Sequence, residues 1–399
     1  MKANTETENL NEKFEKQMSG ADAAQDYGGN FWKRDNGFLI AVSVYFIAML
    51  LFVGLRVAGG FGFFNVMADE FGGEATEIIS TVIIQIFIFF IVPILLVKIF
   101  AKQPLGRTLL FTGFNRPSWR VVGYAFLLGA LLFLFNNFVA TLSHMALLVL
   151  GFRFPSGDSS FVGLTGLLVS IVIVGVLPGV CEETSNRGVL MNGLASKLGP
   201  WRAVLISALC FGLMHLNIVQ AIYATVLGIF MGLAVFATRS IWTGVIIHFM
   251  NNALGQFMAF AQKNNWAIAE LLDRFFGLFT GVLFFALICG VYILIINIIH
   301  KFARENFKAN EKNYFANFLK SNPEYVSAKI DAGQGVTLAD MSQSIDAHTA
   351  KLGRTRAIRF YLEGQYKPQT LGALEKTMLF GILFLTTVVT GMTLVWGLL

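Results

Sequence analysis

Apolar stretches of about 20 residues, the length a helix needs to cross a bilayer, recur along this chain between short polar segments. The first runs from Phe38 to Ala58 behind Lys33 and Arg34, and the glycine- and aromatic-rich link after it carries Asp69, Glu70 and Glu74. A second runs from Ile78 to Phe100, with Pro93 expected to kink it. The third, Val121 to Gly151, is long enough to tilt and leads to a loop with Pro155, Gly157 and Asp158. The fourth begins near Phe161. Its helix is expected to continue past a polar cluster to Ser196, because Gly199-Pro200 is the first clear stop signal, while Pro178-Gly179 is expected to bend or break it. Trp201–Leu216 and Ala221–Ala237 follow, short enough to be partly re-entrant, the second with the Gly228-xxx-Gly232 spacing of close helix packing. Ile241–Phe257, Phe275–Ile299 and Thr377–Leu399 complete the series.

The pattern predicts an all-α, polytopic transmembrane helical bundle of about eight core spans plus a C-terminal ninth. Its expected parts are a polar N-terminal cytoplasmic tail (1–36), the bundle (37–300), a cytoplasmic segment (301–372) and a C-terminal transmembrane helix (373–399). Composition agrees: with 55% hydrophobic and 14% charged residues over 399 positions, the chain is too apolar for a soluble protein of this length. The first thirty residues are polar, so no signal peptide is expected there. The segment 301–371 is polar, contains Pro323 and Pro368, includes a helix-like stretch from Arg304 to Leu319, and reads as a connector of modest helices.

Charge sets the expected orientation. The net charge of +6 is concentrated in loops, so it indicates sidedness in a membrane and not a nucleic-acid partner. With the N-terminus cytoplasmic, Arg107, Arg116, Lys197, Arg202, Arg239 and the 301–371 segment share one side, and the opposite loops are acidic or nearly neutral. Cys181, Cys210 and Cys289 show no CxxC spacing, which predicts neither a disulfide framework nor a cysteine metal site. No internal repeat is present, which weighs against transporter folds built from inverted repeats.

The candidate chemistry lies in three of the apolar segments. Glu182, Glu183 and Arg187 follow directly on the run from Phe161 to Val180, and charges at bilayer depth usually face a cavity or a counter-charge and carry function. On a helix Glu183 and Arg187 share a face at i,i+4, whereas Glu182 is rotated about 100° away and left less neutralised, as suits a general base. Taken alone, an EExxxR string is equally a charge cluster at an interface. His215 shares a face with Phe211, and a lone histidine there is more often a packed side chain than a catalyst. His248 and Asn252 repeat the i,i+4 spacing, and two donors converging in a dry site are what an oxyanion requires, although interhelical hydrogen bonding explains the same pattern. His144, His300 and His348 sit in unremarkable positions.

The ordered set EExxxR (Glu182, Glu183, Arg187), FxxxH (Phe211, His215) and HxxxN (His248, Asn252) resembles the CPBP family of CAAX-processing and bacteriocin-processing intramembrane endopeptidases. The resemblance covers about 161–257. It implies that Glu182 and His215 activate a water, that His248 and Asn252 hold the oxyanion, and that Glu183, Arg187 and Phe211 support them. It also implies a peptide or protein substrate cleaved near the cytoplasmic face, and a bacterial cell membrane as the location. No HExxH string is present; the preferred reading requires no cofactor, and a divalent metal such as zinc on a His₂Glu set is the alternative. The rival reading is a non-catalytic membrane scaffold or bacteriocin-immunity-type binding protein, and a proton-relaying transporter is a third.

Overall fold

The computed structural model describes residues 29–32, 36–154, 163–278, 282–312, 315, 337–363 and 369–398, and these form helices and turns with no strand. Most of the expected N-terminal tail, the loop with Pro155, Gly157 and Asp158, and Pro323 and Pro368 lie outside the described residues. After a helical turn at Gly29–Trp32 come α1 (Gly37–Gly60), α2 (Phe63–Phe71), α3 (Gly73–Ala101), α4 (Leu105–Phe111) and α5 (Trp119–Val149). The acid-bearing helix is α6 (Gly163–Leu198). It is followed by α7 (Pro200–Leu213), α8 (Ile218–Thr238), α9 (Ile241–Lys263), α10 (Ala267–Leu278) and α11 (Val282–Ala309). Then come α12 (Leu338–Ala350), α13 (Arg354–Glu363) and α14 (Ala373–Leu398).

Among the described residues seven helices are long and apolar enough to cross a membrane: α1, α3, α5, α6, α8, α14 and the Phe285–Ala309 part of α11. The other two expected spans differ for separate reasons. α7 has 14 residues, too few to cross. α9 has 23 residues but carries His248, Asn251 and Asn252, so polarity and not length sets it apart. The eighth span, placed by the sequence at Phe275–Ile299, is shifted: α10 is a separate helix and α11 runs on to Ala309. Phe302, Ala303 and Phe307 keep one side of that extension apolar and buried in the same cluster as Ala357, Ile358 and Tyr361 of α13. Arg304 therefore continues α11 instead of opening a new helix, and with Lys308 it pairs with Asp346 of α12, each at 3.2 Å.

α6 is the central element, packed against α1, α3, α7 and α9. Pro178 does not break it, contrary to the sequence expectation, and the physical reason is visible in the backbone. Proline has no N–H to give the carbonyl four residues back and crowds that carbonyl. In α6 the residues just before Pro178, Ile171–Val176, are wound as a π-helix, and in α3 the same winding over Ile83–Ile91 precedes Pro93. The carbonyls left without the proline N–H are Val174 O and Phe89 O. Asn252 Nδ2 donates to the first at 2.8 Å and Ser185 Oγ to the second at 2.7 Å. A third π-helical stretch, Thr184–Met191, immediately follows the acids. The helix continues to Leu198, where Gly199 takes a positive φ of 83° and Pro200 opens α7.

Close approach of α8 to its neighbours depends on the two glycines picked out by spacing. A Cβ at Gly228 would meet Ala208 at 3.1 Å, and one at Gly232 would meet Val204 at 3.2 Å. All three cysteines are free.

Because Ser185 satisfies a carbonyl that Pro93 deprives of its donor, Ser185→Ala is expected to cost about 1–3 kcal/mol. In a Pro93→Ala background, where the backbone N–H returns, the same change should cost distinctly less. Reversible unfolding of the four proteins in a double-mutant cycle measures the coupling.

Candidate active site

The two adjacent acids point to different partners. Glu183 is fully buried and pairs with the fully buried Arg187 at 2.6 Å. The second guanidinium nitrogen of Arg187 donates to Gly228 O at 3.1 Å, and its carbon lies 4.3 Å from the centre of the Phe211 ring. The i,i+4 pairing drawn from the sequence is therefore present, with a helix carbonyl and an aromatic face completing the arginine's surroundings.

The same Glu183 oxygen lies 3.3 Å from His248 Nδ1. With the carboxylate accepting, His248 carries its proton on Nδ1 and turns Nε2 the other way. That atom faces Glu182 Oε2 at 4.0 Å. Room for this arrangement comes from Gly244, one turn before His248. A Cβ there would stand 2.5 Å from Glu183 Oε2 and 2.9 Å from Val235, so only glycine leaves the carboxylate in place.

Glu182 is only 7% exposed. Its Oε1 accepts from Gln85 Nε2 of α3 at 2.8 Å, and its Oε2 has no hydrogen-bond partner among the described residues. The backbone beneath it is held too: Asn186 Nδ2 donates to Glu182 O at 3.0 Å, and Tyr45 of α1 donates to Asn186 Oδ1 at 3.1 Å. One carboxylate oxygen is thus anchored and the other is presented toward His248.

His215 occupies the turn between α7 and α8. Its Nδ1 lies 2.8 Å from Phe211 O, and because a carbonyl can only accept, Nδ1 carries the proton and Nε2 is bare in the neutral ring. Glu182 and His248 are both near enough to act on it electrostatically. Phe211 sets the spacing of the imidazoles: its ring meets His215 edge-on with centroids 5.2 Å apart and His248 likewise at 5.4 Å.

Asn252 departs from the expected convergence with His248. Among the described residues it makes no hydrogen bond to either acid or imidazole. Its amide nitrogen donates to Val174 O, and its oxygen accepts from Asn251 at 3.2 Å. Asn251 in turn accepts from Asn136 of α5 at 3.3 Å, so three amides form a chain ending on α6. The remaining histidines pack on aromatic rings, His144 on Phe154, His300 on Tyr361 and His348 on Phe360.

Sequence reasoning missed Gln85, Tyr45, Asn186 and Gly244. Three left a trace: Gln85 is a polar residue inside an apolar run, Asn186 lies four residues after Glu182, and Gly244 lies four residues before His248. Tyr45, in a long apolar stretch, left none. Among the described residues no three His, Cys, Asp or Glu side chains are grouped to hold a metal ion.

Glu182, Glu183, Arg187, Phe211, His215 and His248 meet between α6, α7 and α9, and one sequence family spans that stretch. Residues 164–254 match the type II CAAX prenyl endopeptidase Rce1-like family. It is the family to which the three motifs point, and it supports an intramembrane CAAX-type protease at family level. The Rce1-like stretch contains every motif residue from Glu182 to Asn252, and it leaves out Gln85, Tyr45 and the whole of α14. No curated protein and no solved structure matches the chain.

Removing one member of a buried ion pair strands the other. Arg187→Met is therefore expected to destabilise the protein by about 3–5 kcal/mol, and Glu183→Gln added to it should recover much of that loss, as measured by reversible unfolding in lipid nanodiscs.

Proposed function

We propose that the chain is an intramembrane endopeptidase in which Glu182 is the general base. The observation that carries this reading is the divided state of its carboxylate, with Oε1 anchored by Gln85 and the unpartnered Oε2 turned toward His248 Nε2 at 4.0 Å. A water in hydrogen-bond reach of Oε2 gives up a proton to it and attacks the scissile carbonyl carbon. His215, its tautomer fixed on Phe211 O, accepts the water's other hydrogen bond through Nε2. The tetrahedral oxyanion is stabilised by His248. His248 donates from Nε2 only as the imidazolium, flanked by the carboxylates of Glu182 and Glu183. Collapse of the intermediate returns the proton from Glu182 to the leaving amine.

The substrate in this reading is a peptide or protein at the membrane. His248 lies two turns into α9, about 10 Å along the axis, so the site is approached from the face where α9 begins. By the charge pattern of the loops that face is the cytoplasmic one.

Glu182→Gln keeps the shape and removes the base. Comparing membrane-derived peptides from cells carrying wild type and Glu182→Gln is expected to show products only in the former, with both proteins equally abundant and folded; products from both would sink the assignment. The scaffold reading draws on the buried ion pair and the amide chain, and it stands instead if Glu182→Gln lowers thermal stability and leaves the cellular phenotype intact. Gln85→Leu, which frees Oε1, should reduce kcat/KM on the substrate so identified by up to about 100-fold, the cost of misplacing a reacting group by about 1 Å.

A further inference from the structure

α14 lies outside the family-matched residues, yet it is bonded to both elements that bring acid and imidazole together. Near its start Glu375 pairs with Lys197, in the last turn of α6, at 2.6 Å, and Lys197 O accepts from Gln369 N–H at 2.8 Å. Farther along, Thr390 Oγ1 donates to Leu213 O at 3.3 Å. Thr393 Oγ1 accepts from Ile218 N–H at 3.0 Å while donating to Thr390 O at 2.7 Å. Leu213 is the last residue of α7 and Ile218 the first of α8, so the two hydroxyls hold both ends of the turn that carries His215.

That turn needs holding. Leu216, directly after His215, has a φ of +50°, a left-handed conformation uncommon for any residue but glycine. Ile218 N–H belongs to the first turn of α8 and has no partner within its own helix; Thr393 supplies one. α14 and α7 run side by side in the same direction, with α14 bonded near its start to the last turn of α6, just before α7, and farther along to the last residue of α7. The distance from Lys197, at the end of α6, through α7 to Leu213 is thereby set against that from Glu375 to Thr390 along α14.

We propose that α14 is a strut that fixes the height of the His215 imidazole against Glu182, with Thr390 and Thr393 as positioning residues. The proposal rests on the reading of His215 and Glu182 given above. Its effect passes through the turn: the hydroxyls hold residues 213–218, the turn holds the ring where Nδ1–H meets Phe211 O, and Nε2 then points to the site.

The test uses the full chain in nanodiscs with ¹⁵N-labelled histidine. In wild type, His215 should give the signature of one tautomer, protonated at Nδ1. In Thr390→Val/Thr393→Val that signature is expected to broaden or split, and amide exchange at Ile218 to rise at least tenfold, with the His248 signals unchanged. Thr390→Ser/Thr393→Ser, which keeps the hydroxyls, should restore both, a result that loss of packing alone does not produce. Should the double valine variant fail to fold, Thr393→Ala against Thr393→Ser carries the same comparison at Ile218 and His215. An unchanged His215 spectrum and unchanged exchange at Ile218 overturn the strut. His215→Ala separates the two ideas: full cleavage in that variant removes the catalytic reading, whereas lost cleavage with an unaltered spectrum in the valine variant removes only the strut.

Discussion

The buried contact between Glu183 and Arg187 is the constraint on which the rest of the bundle turns. Two charges with no access to solvent must be matched almost completely, because each alone is severely penalised in a low-dielectric interior. Here the matching draws in four elements: Gly228 O from α8, the Phe211 face from α7, and His248 beside Gly244 from α9, all converging on α6. A rearrangement that improved packing at any of these helices while moving Arg187 would expose an uncompensated charge. The pair therefore fixes the mutual placement of the helices that also bring Glu182, His215 and His248 together.

A second requirement is that a long helix remain continuous through a proline-bearing region in the middle of a membrane protein. Unbonded backbone is costly in lipid, and the π-helical stretches of α3 and α6 place the affected carbonyls where side chains reach them. Ser185 and Asn252, both on helices of the site, are the donors. The polar residues around the acids thus have two functions at once, holding the backbone and fixing the charged side chains, which explains why so many polar side chains occur in so apolar a chain.

Much of this was legible in the sequence, for identifiable reasons. Long apolar runs report helices that cross a membrane directly, and Gly199-Pro200 marked the end of α6 correctly. The Glu183–Arg187 pair followed from i,i+4 geometry, and three motifs in order pointed to the family that matches residues 164–254. Other features depend on tertiary contacts that local patterns do not carry. Pro178 reads as a helix breaker until the π-winding and Asn252 are seen. Asn252 reads as a partner of His248 by spacing, yet its amide faces a carbonyl on another helix. The polar stretch after Ile299 reads as a connector, but Phe302 and Phe307 meet α13 and keep α11 helical. Tyr45 is indistinguishable in sequence from any aromatic residue facing lipid.

The line of amides from Asn136 through Asn251 and Asn252 to Val174 O has a built-in polarity. A side-chain amide viewed alone can be turned over, exchanging its oxygen and nitrogen, at little cost. Here the terminal group is a backbone oxygen, which can only receive, so the last amide is oriented by it, the middle one by the last, and the first by the middle. An aspartate inserted anywhere along the row would bring two receiving atoms face to face at the link it should donate across, while still receiving from any amide upstream of it. The direction in which Asn252 offers its remaining N–H is accordingly set by a carbonyl that a proline on α6 leaves free, and that proline does not need to approach the reacting groups.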